Sequence, residues 1–108
     1  MIRAGVLAGI AVTVVAGCSG GAQLEEAGAS GQALFVRHCA GCHPDGKNVI
    51  YPQKDLRAMT LAANGITKPE DIMAVMRNPG RGMPRFDRAV IADGEARRVA
   101  VYVLETFR

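Results

Sequence analysis

The run His38-Cys39-Ala40-Gly41-Cys42-His43-Pro44-Asp45-Gly46 sets two thiols and an imidazole close together in the chain. C-x-x-C-H is the spacing of c-type haem attachment. Each thiol can add across one haem vinyl group to form a thioether, and two intervening residues let both sulfurs reach one macrocycle edge. His43, directly after the second Cys, is then carried beneath the ring, where its imidazole can meet the iron. The expectation is one haem c, covalently bound through Cys39 and Cys42, with His43 as an iron ligand. Three other readings use the same residues. A thioredoxin-like redox pair would sit in a βαβ pattern, and none surrounds these positions. A zinc site would need a second pair of Cys or His downstream, and none follows. A plain disulfide is the third. His38, adjacent to Cys39, cannot easily swing to the iron and reads as a surface or haem-edge residue.

No His follows His43, so a second protein ligand must be Met, Lys, Tyr or an amine. Met83 lies in Gly80-Arg81-Gly82-Met83-Pro84-Arg85-Phe86. The glycines let the chain pass close to a haem face, and Pro84 stiffens it just after the candidate ligand. Met59, Met73 and Met76 are rivals. Met73 and Met76 fall on a predicted helix whose apolar face includes Ile72, Val75 and Met76, which favours core packing for them. Met83 has no packing periodicity of its own and is the expected sixth ligand.

Helices must carry these groups. Ser30 is placed to cap a helix that brings Leu34 and Phe35 up to the haem cysteines. Thr67-Lys68-Pro69-Glu70 reads as a capping box for a helix that should stop before Pro79. Asp93 is positioned to cap the last helix, where Val99, Tyr102 and Val103 recur at helical spacing. Gly31 would permit that helix to approach closely, with Tyr102 or Phe107 filling the contact. No strand pattern is convincing, so the expected fold is all-α. Asn48 to Pro52 reads as a loop along the haem edge, where a backbone carbonyl could accept the His43 Nδ1 proton.

The N-terminus reads as an address. Met1-Ile2-Arg3 is a short positive region, and Ala4 to Gly17 carries no charge, as in a secretory signal. The apolar part is short for a spanning helix, which needs about 20 residues. Val15-Ala16-Gly17-Cys18 resembles the bacterial lipobox, in which small residues precede a Cys that receives a diacylglyceryl group. Lipidation would also explain why Cys18 is the odd cysteine. The expected organisation is a signal over residues 1–17, a lipidated Cys18 with a flexible tether over 18–29, and a cytochrome c domain over 30–108.

At 108 residues, minus a signal, one small domain is the most the chain can build. The hydrophobic fraction of 49% overstates its core, because much of that fraction lies in the first 17 residues. A domain this small usually needs a staple, which a central haem would supply. The formal charge of +3 falls by one if Arg3 leaves with a signal, and two propionates bring it near zero. Nucleic-acid binding therefore has no electrostatic support.

Taken together, the sequence resembles the class I cytochromes c, especially the small soluble type of photosynthetic electron transfer. The matching pieces are Gly31 to Phe35, Cys39 to His43, Asn48-Val49-Ile50 with Pro52 and Leu56, Met83-Pro84 with Phe86, and Tyr102-Val103-Leu104-Glu105, in family order. The resemblance implies crossing N- and C-terminal helices around one haem. It also implies one-electron transfer between periplasmic redox partner proteins by a monomer that is not itself an enzyme. An electron-transfer subunit of a periplasmic oxidoreductase is the alternative, and a haem-based sensor a more distant one. Relatives of the photosynthetic type carry a Gln seven residues before the ligand Met that helps raise the potential. Met76 stands there in this chain, so the resemblance carries no expectation of a value at the high end. Arg77, Arg81, Arg85 and Arg88 cluster around Met83. They form either a solvated face, one of them pairing with a propionate, or a basic rim that steers an acidic partner.

Overall fold

A computed structural model of the chain describes residue 5, residues 9–13 and residues 28–108. Cys18, with most of the proposed leader and tether, lies outside the described residues. Among those described, every regular element is helical. They are α1 (Gly31–His38), a 3₁₀ turn (Pro44–Gly46), α2 (Ala58–Ala63), α3 (Pro69–Arg77) and α4 (Asp93–Thr106). The all-α expectation holds.

Helix α1 begins where Ser30 Oγ accepts the Ala33 N–H at 3.0 Å, as expected. Replacing such a cap by Ala costs about 1 kcal/mol. Arg37 and His38 occupy the last turn, where positive charge suits the helix dipole. The two other caps differ from expectation. At α3 the boundary residue is Lys68, and Asp71, not Glu70, reaches back to accept the N–H groups of Thr67 and Lys68 at 3.0 and 3.2 Å. Glu70 is turned outward to Arg97 of α4. At α4 the boundary residue is Ala92, whose N–H donates to Glu95 at 3.1 Å. Asp93 is the first helical residue, and its carboxylate pairs with Arg77 at 2.8 Å and Arg88 at 3.1 Å. Those two guanidinium groups, Arg77 first, hold the Asp93 carboxyl below its ordinary pKa. Helix α3 ends at Arg77, ahead of Pro79, as expected.

Helix α4 packs against both α1 and α3. Its buried face presents Ala96, Val99, Ala100 and Val103 to Leu34 and Phe35 of α1 and Met76 of α3. Leu34, Ile91 and Val99 are fully buried, each stabilising by about 1.5–3 kcal/mol relative to exposure. The α1–α4 contact depends on Gly31, because a β-carbon there would collide with the Arg98 backbone and with Tyr102 Cβ. Beside it, the Phe35 ring lies 5.3 Å from Tyr102 and 5.4 Å from Phe107, so both expected aromatics fill the contact. Such pairs add about 0.5–1.5 kcal/mol each beyond area burial.

Candidate cofactor site

A cleft of about 1340 Å³, part of it open to solvent, lies among α1, α3, α4 and the long connections between them. Cys39, Cys42 and His43 line it from the turn that follows α1, and Met83 lines it from the α3–α4 connection. Four residues singled out by chemistry alone are thus brought to one cavity. The remaining walls are mostly apolar, with Phe35, Leu61, Ile72, Met76, Phe86 and Val99 prominent.

The turn that carries the thiols is tightly bonded. Phe35 O accepts from the N–H groups of both Cys39 and Ala40, and Cys39 O accepts from those of Cys42 and His43. The cysteines form no disulfide with each other. Burial, and after it the neighbouring Cys42, pushes the Cys39 thiol up to about 11. A thioredoxin-like pair needs the opposite shift, because the thiolate is its nucleophile. The burial that raises the Cys39 thiol therefore disfavours that reading.

His43 Nδ1 lies 2.8 Å from the Lys47 carbonyl oxygen. A carbonyl only accepts, so Nδ1 carries the proton and Nε2 is left as the lone-pair donor. The carbonyl belongs to Lys47, one residue ahead of the loop expected to supply it. Asn48 organises that loop. Its Oδ1 accepts the N–H groups of Ile50 at 2.9 Å and Tyr51 at 2.8 Å, and its Nδ2 donates to Lys54 O at 3.0 Å. This is an Asx turn, which the side chain's position in a loop could have suggested.

On the Met83 side, Gly82 adopts φ 85°, and a β-carbon there would stand 2.8 Å from Tyr51 Cε2. Only Gly satisfies both conditions, so Gly82 fixes the path rather than loosening it. Gly80 has open space around it and no such constraint. Met73 and Met76 are placed as expected, and Met59 stands away from the site. Met59 is 87% exposed, Met76 is buried, and Met73 packs against the core. Met76 also lines the cleft, as a thioether wall where the photosynthetic relatives carry an amide. His38 lies at the cleft edge with its ring 6.0 Å from Phe86.

The donor set fits a covalently held haem: two thiols on one turn, an imidazole whose Nε2 is left free to donate its lone pair, a thioether on a second segment, and mostly apolar walls. The four arginines divide. Arg77 is largely buried and Arg88 pairs with Asp93, whereas Arg81 and Arg85 are exposed with no ion pair among the described residues.

Residues 26–103 match the family model described as cytochrome C oxidase, cbb3-type, subunit III. A cytochrome c6 from Cyanidioschyzon merolae is 41% identical over 76 residues, covering 70% of this chain and 71% of that protein. The solved structure of OmcF, outer membrane cytochrome F from Geobacter sulfurreducens, is 44% identical with a TM-score of 0.72, covering 73% of this chain and 100% of that one. Cytochrome c6B from Synechococcus sp. WH8102 is 35% identical with a TM-score of 0.64, covering 69% and 84% of the two chains. The matched stretch reaches from ahead of C-x-x-C-H into the last helix, and at these identities it shows that the chain belongs to the monohaem class I c-type cytochromes and carries one covalently bound haem c.

Proposed function

We propose that the protein is a periplasmic-side one-electron carrier, its haem thioether-linked through Cys39 and Cys42 and ligated by His43 and Met83. The observation that carries this reading is the single cleft lined by the attachment turn and the Met83 segment together. The bound haem supplies one reversible electron at a potential that thioether ligation raises. The protein's own groups set the conditions. Lys47 O orients the imidazole, the mostly apolar walls limit water around the site, and two protein ligands held through both oxidation states would leave little rearrangement to oppose transfer. Such a protein acts as a carrier rather than a catalyst.

Lipid attachment at Cys18 would hold the domain on a bacterial membrane, facing the periplasm or exterior, with residues 19–29 as tether. No helix among the described residues is long and apolar enough to cross a membrane. The Geobacter relative is described as an outer membrane cytochrome, which supports a membrane-surface location. Metabolic labelling with a fatty acid should mark the wild type and leave Cys18→Ala unmarked. An unlabelled wild type removes the anchor.

Partner docking is expected at the cleft mouth. Ile50 and Val49 are 48% and 60% exposed there or beside it, and Arg81 and Arg85 supply positive charge with no ion pair among the described residues. This suits brief encounter with an acidic redox protein through an interface under about 1,200 Å². The association rate with such a partner should fall steeply as salt rises, and Arg81→Glu with Arg85→Glu should lower it by about tenfold or more at low ionic strength. A rate flat in salt leaves these arginines as a solvated face.

The description of the matched family as an oxidase subunit favours a second reading, a stably bound electron-transfer subunit. Released from the membrane by detergent, a carrier elutes as a monomer. A subunit brings its oxidoreductase with it.

A further inference from the structure

Arg77 ends α3 and is followed at once by the segment that bears Met83. Its side chain is only 19% exposed, and its guanidinium meets three acceptors. Nη1 donates to the carbonyls of Phe86 at 3.1 Å and Ile91 at 2.8 Å, and Nη2 donates to Asp93 Oδ1 at 2.8 Å. One side chain therefore ties the end of α3 to a point just past Met83, to the end of the connection, and to the start of α4. The Phe86 N–H returns to Met76 O at 2.9 Å and doubles the first of these ties. By contrast, residues 79–85 hold only a turn at Arg81 and Gly82 and take no side-chain hydrogen bond among the described residues. Met83 is thus positioned by the backbone path at Gly82 and by the anchorage of Phe86 immediately downstream.

We propose that Arg77 is a positioning residue that keeps the Met83 sulfur on the iron by fixing the downstream half of its loop. The inference rests on the reading of Met83 as an iron ligand. Two other roles fit this arginine less well. A propionate could claim only the two donors that the three protein acceptors leave free, on a guanidinium those acceptors already hold in place. A surface ion pair would not be buried, nor would it spend two of its three bonds on carbonyls. The planar five-donor fork is what spans three acceptors at once. A Lys ammonium keeps the charge but is a single point that cannot reach all three, leaving carbonyls unpaired. Loss of the tie should therefore raise the fraction of molecules whose sulfur has left the iron. An external ligand binds only that fraction, so its apparent affinity rises in proportion.

The test uses purified ferric holoprotein and imidazole at about pH 8, where the competitor is largely neutral. Arg77→Lys should bind imidazole about tenfold more tightly than wild type, with a weakened sulfur-to-iron band and unchanged haem content. Arg88→Lys, whose side chain reaches only Asp93, should stay within about twofold of wild type. Asp93→Asn keeps both carbonyl ties and should give a smaller rise, of about threefold. It decides the matter if Arg77→Lys yields no holoprotein, and a wild-type affinity in that variant then overturns the proposal. An Arg77→Lys protein that unfolds at lower urea while retaining the wild-type band and imidazole affinity makes Arg77 structural only. If the wild type shows the band, Met83→Ala loses it and Arg77→Lys leaves it intact, the Arg77 role alone fails. If the wild type lacks the band, the ligand reading fails and takes this proposal with it.

Discussion

Exchange of both Cys39 and Cys42 for Ser should abolish covalent haem completely. A serine hydroxyl does not add across a vinyl group, and the only other cysteine, Cys18, precedes the domain. Acid-acetone extraction of denatured protein should leave haem on the wild type and none on the double variant. The double variant should also be poorly stable. The folded core has few large side chains, and the cleft beside Leu61, Met76 and Val99 relies on the macrocycle to fill it. His43→Ala is expected to behave differently, keeping both thioethers while losing the low-spin spectrum. Haem extracted from the wild type by acid-acetone would contradict the attachment.

Loss of the Met83 thioether should have the second large effect. Met83→Ala should erase the weak near-red sulfur-to-iron band of the ferric protein, lower the potential, and take carbon monoxide or cyanide binding from negligible to one per haem. Leu replacements of Met59, Met73 and Met76 should keep the band. Met59 points to solvent and the other two pack against the core, so none is free to substitute as ligand. Met76→Leu is the one expected to shift the potential slightly, since Met76 also lines the cleft.

The chemistry of this site was legible because it is local. C-x-x-C-H encodes its own geometry over five residues, and Met83 stood out between a Gly and a Pro with no helical pattern to absorb it. The long elements were legible too, since α3 and α4 repeat apolar residues at helical spacing and Gly31 has no other evident purpose. Short-range polar detail was not. Asp71 and Glu70 are adjacent carboxylates, and Asp71 caps α3 because the helix begins one residue later than Thr67 would set it, which puts Asp71 at the third helical position. Asp93 looked like a cap and is the anion of Arg77, a pairing across the fold that no sequence spacing announces. Helix α2 is six residues without a side-chain cap at its start, too short for periodicity to register. Arg77 itself read as one of four surface charges, because its carbonyl acceptors lie nine and fourteen residues on.

The proton NMR spectrum of the ferrous wild-type protein decides whether one haem is held by both His43 and Met83, as an electron carrier requires. Met methyl and methylene protons should appear shifted strongly upfield by the haem ring current, assigned to Met83 by their loss in Met83→Ala, in a protein that does not take up carbon monoxide. A spectrum without those lines, from a protein that binds carbon monoxide readily, would contradict that ligation and point to a sensor with an open iron.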